Sequence, residues 1–201
     1  MSDTKLAVDS LRVFPENWLD PLPLAGLYAA PQPLEVDVGC GKGRFLLART
    51  AAHPQVNFLG IDRMLRRVRK VDRKAVRRGL ANLRLLRCEA YYAVTYLLPA
   101  DAVSTYYIFF PDPWPKKRHH QHRLFDPPFV EALHRTLVPG GAFHFATDHL
   151  PYFEEVRQIM ERDARFETLP PFEPGEEERT DFELLFIQLA PIGRCSFRRK
   201  S

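Results

Sequence analysis

Cysteine is scarce in this chain of 201 residues. There are three, Cys40, Cys88 and Cys195, an odd number at wide spacing. They offer no disulfide framework and no zinc-type spacing, and they imply a reduced, cytoplasmic setting. Long apolar runs are missing as well. None reaches the roughly 20 residues that span a bilayer, so the sequence reads as soluble, with no membrane partner. The opening "MSDTKLAVDS" lacks the cationic start and apolar stretch of a secretory signal. Internal repeats and a domain linker are absent too. Charge of one sign does not dominate, since the net charge is only +4, but its distribution is uneven.

Proline is plentiful. Pro15, Pro21, Pro23, Pro31 and Pro33 crowd the first 33 residues. That density predicts an irregular leader over 1–33, with no long helix beyond Pro15. From 34 to 201 a single domain is expected. Apolar runs of strand length, "LEVDVG" (34–39), "VNFLGI" (56–61), "LRLLRC" (83–88), "VSTYYIFF" (103–110) and "AFHFAT" (142–147), alternate with helix-length segments at 43–52, 62–78, 90–98, 126–137 and 150–163. "FELLFIQLA" (182–190) reads as a further strand, and Pro139-Gly140-Gly141 as a stop before the fifth. The acidic "EPGEEER" (173–179) reads as an exposed loop. Such alternation predicts an α/β fold, a mainly parallel sheet covered by helices on both faces.

Ligands of open α/β sheets bind beyond the carboxyl ends of the strands. "DVGCGKGRF" (37–45) links a predicted strand to a predicted helix, and Gly39, Gly41 and Gly43 permit a sharp turn and close approach to a ligand. The spacing G-x-G-x-G is not the dinucleotide fingerprint, and a merely tight turn would use the same glycines. Asp62 ends the second strand nineteen residues after Gly43. It suits the hydroxyls of a ribose, since an ionised carboxylate only accepts, and it suits a helix N-cap equally well. With Asp37, Glu89 and Asp112, four acids fall at strand ends. They would repel a pyrophosphate and welcome a cofactor carrying a sulfonium, an ammonium and a ribose diol. S-adenosylmethionine fits that description.

"FFPDPWPKKR" (109–118) is the most unusual string. Pro111 and Pro113 fix the backbone on either side of Asp112. Trp114 offers a face on which a base can stack. Lys116, Lys117, Arg118 and Arg123 supply phosphate partners. A carboxylate also reads the donor edge of guanine, its ring N–H and exocyclic amine. A proline-rich turn with a core tryptophan and a solvated basic run is the bland alternative.

"FPDPWPKKRH" (110–119) resembles the signature of the bacterial tRNA (guanine-N7-)-methyltransferases, a class I S-adenosylmethionine-dependent family. The resemblance extends from about residue 34 to 188 and includes the glycine loop, "GIDRM", "EA" (89–90), "TDH" (147–149) and "TDFE" (180–183). It implies a Rossmann-like fold with a mainly parallel, seven-stranded sheet. It implies methyl transfer to guanine N7 at position 46 of the tRNA variable loop. By position it implies that Asp37, Gly39, Gly41, Asp62, Glu89 and Asp112 bind the cofactor and that Asp112 is catalytic. Lys116, Asp148, Thr180, Asp181, Phe182 and Glu183 are implied to contact the tRNA. The chain departs from the family at Asp37, Asp62 and Glu89, where Glu, Glu and Asp are usual, and "RHHQHR" (118–123) replaces a more uniformly basic string.

Other features divide between chemistry and plain structure. His119, His120 and His122 have no carboxylate or cysteine partner at ligand spacing, and methyl transfer needs no metal, so none is expected. Between 63 and 78 stand nine cations against one acid, Asp72. Met64, Val68, Val71 and Ala75 mark the buried stripe of that helix, and its cations are expected to face RNA. The tail "RCSFRRK" (194–200) is expected to add to that surface. Tyr106, Tyr107, Phe109 and Phe110 read as core. Two rival functions stay open: another N-methyltransferase, since "DPW" is similar to the Asp-Pro-Pro-aromatic loop of amino methyltransferases, and a non-catalytic RNA-binding relative. A monomer or a homodimer suits either.

Overall fold

The computed structural model describes residues 10–114, 118, 123–186 and 191–201. In chain order the elements are β1 (Arg12–Val13), β2 (Leu34–Val38), α1 (Arg44–Ala52), β3 (Asn57–Ile61), α2 (Leu65–Arg77), β4 (Leu83–Leu86), α3 (Ala90–Tyr92) running into a π-helical turn (Ala93–Leu97), β5 (Val103–Phe109), α4 (Pro127–Thr136), β6 (Leu137–Thr147), α5 (Leu150–Arg162), β7 (Phe166–Leu169), α6 (Asp181–Phe186) and β8 (Gly193–Arg199). The sheet order is β1-β4-β3-β2-β5-β6-β8-β7. All pairings are parallel except β6 with β8 and β7 with β8. The order reverses between β2 and β5, and there a doubly wound sheet opens its crevice.

Both sheet faces are covered, and the burial follows the two-residue strand period. Val36, Val38, Tyr106 and Ile108 pack with α4 and α5 residues such as Phe129, Leu133 and Val156. On the other face Phe58, Leu83 and Leu85 meet Leu46, Leu47, Val68, Val71 and Ala75 of α1 and α2. Phe45 of α1 packs edge-on against Tyr107 and Phe109, at 4.8 and 5.0 Å between ring centroids. Helix starts follow local chemistry. Asp126 caps α4 by accepting from Phe129 N at 2.9 Å, and Pro127 and Pro128 occupy its first turn. No helix among the described residues is long and apolar enough to cross a membrane.

Several expectations need correction. The stretch 182–190 is not a strand. Its described part belongs to α6, because "TDFE" forms a capping box: Thr180 Oγ1 accepts from Glu183 N at 3.0 Å, and Thr180 N donates to Glu183 Oε2 at 3.4 Å. Residues 187–190 lie outside the described residues. The closing strand is instead β8, inside the tail expected to face RNA. Arg194 pairs with the buried Glu183 and Arg199 with Asp101 within the fold, while Arg198 meets Glu167 in an exposed, solvent-screened pair. Pro139-Gly140-Gly141 does not stop the chain before β6. It forms an irregularity inside that strand, where the register against β5 shifts between Val103↔Leu137 and Thr105↔Ala142.

The leader contributes an eighth strand, the two residues of β1 beside β4. It is pinned by Asp72, the lone acid of α2, whose carboxylate accepts from Ser10 Oγ at 2.9 Å and Leu11 N at 2.7 Å. Met64 is exposed rather than part of the buried stripe. In the acidic loop Glu178 turns inward to Arg49.

Candidate active site

A cavity of about 530 Å³ opens at the carboxyl ends of β2, β3, β4 and β5. Gly39, Asp62, Glu89, Pro111, Asp112 and Trp114 stand on its wall. The glycine loop builds one side. Gly39, Gly41 and Gly43 all have positive φ, 82, 57 and 77°. At Gly43 the need is double, since a Cβ would lie 2.6 Å from Val71 Cγ2 of α2. The turn also lets Gly39 N and Cys40 N both reach Ile61 O, at 2.8 and 2.9 Å.

The four acids differ in their surroundings. Asp62 is buried, and its carboxylate accepts from Gly41 N at 3.0 Å and Met64 N at 2.7 Å, with Arg67 Nη1 at 3.4 Å. It therefore ties the glycine loop to the start of α2 while lining the cavity. An ionised carboxylate offers about four acceptor sites, so one remains for a hydroxyl, and the long Arg67 contact can yield a second. Asp37 is not on the cavity wall. It lies 5% exposed beneath the glycine loop and accepts no hydrogen bond from any described residue. Burial first, and the charge of Asp62 second, push its carboxyl from 3.8 up to about 8. Glu89 caps α3, accepting from Tyr92 N at 3.0 Å. Asp112 is exposed, with Arg63 Nη2 3.7 Å from its Oδ2.

The Asp112 loop is held in a costly shape. Phe110 (φ 53°) and Trp114 (φ 43°) are both left-handed, and such residues cost on the order of 1–3 kcal/mol each. Neighbours enforce the Phe110 conformation. Its N–H donates to Ala146 O at 2.7 Å, and its ring packs on Phe182 of α6 at 4.7 Å. Arg123, expected to meet phosphate, is a loop anchor. It is 7% exposed, donates from Nε to Pro113 O at 2.9 Å, pairs with Glu155 and lies 4.9 Å over the Tyr152 ring.

The remaining expected site residues divide. Phe182 and Thr180 come beside the loop through α6, with Asp181 half-buried at the start of that helix. Glu183 is 1% exposed and faces Arg194, away from solvent. Asp148 is half-buried in the turn between β6 and α5, off the cavity wall. Lys116, Lys117, His119, His120 and His122 lie outside the described residues. Arg49 went unnoticed in the sequence. It joins Glu35, Tyr107 and Glu178, fastening the acidic loop to α1, and no motif marks it.

Comparison with known proteins defines the family. A relative in Halorhodospira halophila, named tRNA (guanine-N(7)-)-methyltransferase, is 40% identical over 80% of this chain and 71% of its own length. The chain belongs to this methyltransferase family. The sequence profile described as putative methyltransferase matches residues 31–183. A second relative of the same name, from Chromohalobacter salexigens, is 37% identical over 81% of this chain and 66% of its own. The chain thus spans about two thirds of the length of these methyltransferases. Among solved structures, the 16S rRNA methyltransferase KamB superposes with a TM-score of 0.67 at 15% identity, covering 89% of this chain and 93% of that one. This likeness establishes the class I methyltransferase fold.

The residues fit S-adenosylmethionine. The buried carboxyl of Asp37 suits an ammonium donor, and on the cavity wall the four acids Asp62, Glu89, Asp112 and Asp126 outnumber Arg63, Arg67 and Arg123, a balance that favours a cationic cofactor over a pyrophosphate. Among the described residues no group of three or more His, Cys, Asp or Glu is placed to hold a metal ion.

Proposed function

We propose that this protein methylates N7 of guanine 46 in the variable loop of tRNA, with residues 34–201 as its catalytic domain. The observation that carries the reading is the cavity itself: carboxylates at the ends of two parallel strands, Asp62 and Glu89, face the stiffened Pro-Asp-Pro-Trp loop that carries Asp112. S-adenosylmethionine, when bound, supplies a methyl group activated by a sulfonium. Asp37, behind Gly39 of the cavity wall, would attract its ammonium by charge, Asp62 would hold its ribose, and the backbone of Gly39 and Gly41 would let it approach. Glu89, on the same wall, adds negative potential.

Guanine N7 carries a lone pair and no proton, so its alkylation calls for no general base. What the chain must supply is position and charge. Trp114 offers a stacking face and Asp112 an acceptor for the N–H groups of the base edge. Holding the reacting atoms near contact contributes several kcal/mol, with a ceiling of roughly 7–11. The product base is cationic, and Asp112 stabilises the charge as it develops. The target nucleotide leaves its stack to reach this loop. Lys116 and Arg118 hold backbone phosphate. Asp148 and the α6 residues Thr180, Asp181 and Phe182 form the far side of the tRNA site, and Glu183 supports them through Arg194.

The test is incubation with unmodified tRNA and methyl-labelled cofactor, followed by nucleoside mapping. The expected product is 7-methylguanosine at position 46. Label found only on exocyclic amines, or only on DNA, overturns the reading.

A further inference from the structure

A second cavity, also of about 530 Å³, lies beside the first. Its walls come from the leader (Phe14, Trp18), from the start of α2 (Arg63, Arg69) and from the turn after β4 (Arg87). Arg63, Cys88 and Glu89 are shared with the active-site cavity, so the two are contiguous. Phe14, Trp18, Arg69 and Arg87 belong to the second alone.

The aromatic wall is preformed. Asp72 fixes Ser10 and Leu11, β1 pairs with β4, and Tyr92 donates its hydroxyl to Trp18 O at 2.6 Å. Yet the side chains stand free of the core: Phe14 is 70% exposed and Trp18 44%. Arg12 lies 5.1 Å over the Phe14 ring, a cation at an aromatic face. Large aromatics on a rigid, wet surface call for a partner. The charge says which kind. Four guanidiniums, of Arg12, Arg63, Arg69 and Arg87, line it with the one carboxylate of Glu89; Arg12 is held by Asp72 at 3.3 Å and Arg63 meets only the exposed Asp112, so the wall stays net cationic, the reverse of the acid-rich crevice next door. This pocket therefore suits an anion bearing a flat ring, not a second copy of the cationic cofactor.

From these observations we infer that the second cavity binds a nucleotide adjacent to the target guanine in the tRNA strand, with its base on Trp18 or Phe14 and its phosphate on the arginines. The inference rests on the function proposed above. Extracting a base leaves its neighbour without a stacking partner, and an aromatic platform one pocket away replaces it. The exposed cations of α2, Arg66, Arg73 and Arg77, continue from this pocket along the helix and give the backbone a track.

The test measures tRNA affinity, which does not depend on turnover. Trp18→Ala should weaken tRNA binding about five- to hundredfold, the worth of one stacked base, and Trp18→Phe should restore most of it. Arg69→Gln should lower the slope of log affinity against log salt by a little under one. Cofactor affinity and melting temperature should stay at wild-type values, since neither side chain lines the first cavity or the core. An abasic site placed on each side of the target guanine in turn then completes a double-mutant cycle. One of the two should weaken wild-type binding and leave Trp18→Ala unaffected. Equal losses in both proteins at both positions, or unchanged affinity in Trp18→Ala, overturn the inference. A wild-type protein that binds tRNA with this coupling but leaves guanine N7 unmethylated would overturn the proposed function and not the pocket.

Discussion

Asp37→Asn separates the two states of the cofactor site. Without cofactor, the Asp37 carboxyl is buried and lacks a hydrogen-bond donor, and its pKa stands at about 8 against 3.8 in ordinary surroundings. A raised folded-state value means that the folded protein keeps a proton that the unfolded chain has lost. The stability this proton confers is complete below about pH 4 and disappears as pH rises to about 8. At 1.36 kcal/mol per unit the full effect has a ceiling of about 6 kcal/mol, and the step from pH 5.5 to 7.5 about 3 kcal/mol. Asparagine mimics the protonated acid and does not titrate. The variant should thus gain on the wild type as pH rises, by roughly 6–12 °C of melting temperature over that step for a chain of this size.

Cofactor binding reverses the preference, since an ammonium favours the ionised carboxylate. At pH 7 the wild type should release close to one proton on binding, measured by calorimetry in buffers of different ionisation enthalpy. Asp37→Asn should release none from this position and should bind more weakly. Parallel melting profiles for the two proteins, differing by less than about 1 kcal/mol across the range, would refute the argument. So would identical proton release.

Asp112→Asn keeps the shape of the loop and removes its charge. Single-turnover methylation should fall by orders of magnitude while the melting temperature holds, because this side chain is exposed. An unchanged single-turnover rate removes Asp112 from the chemistry. Gly43→Ala places a methyl group against Val71 at a left-handed backbone position, so both stability and cofactor binding should drop, the former by more than the ~1 kcal/mol usual for exposed glycine changes. Lys116→Ala with Arg118→Ala should weaken tRNA binding and flatten its salt dependence, with cofactor affinity intact. Loss of cofactor binding there would show the basic run to be misplaced. Arg123→Ala removes the donor to Pro113 O and the partner of Glu155, and should cost about 1.5–3 kcal/mol along with turnover.

The parts of the fold legible in the sequence were those whose signal is local. Strands β2 to β5 carry apolar runs of the right length between turn residues. Asp126 followed by two prolines announces α4. The glycine loop falls where a strand meets a helix. What misled was a signal open to two readings. "FELLF" is apolar enough for a strand, but "TDFE" ahead of it closes a capping box, and the reciprocal bonds of Thr180 and Glu183 nucleate α6. The β8 strand hid because its alternate positions carry Arg194 and Arg198, which look like a solvated tail until their partners Glu183 and Glu167 are placed.

Arginine shows why the site was only partly readable. Arg63, Arg123 and Arg194 have the same side chain and the same formal charge. Arg123 and Arg194 meet buried or partly buried carboxylates across 32 and 11 residues of sequence and stop being available to RNA. Arg63 reaches only an exposed Asp112 at 3.7 Å, a pairing that solvent screens. A phosphate arriving at the crevice competes with that weak contact easily, and with the buried ones hardly at all. Arg63 also borders both cavities. Its release from Asp112 on tRNA binding would free the carboxylate for the guanine edge at the moment the guanidinium takes up phosphate. On the function proposed above, electrostatic recognition of the strand and preparation of Asp112 would then be one event, and which arginine is available for it is set by long-range packing that no local motif records.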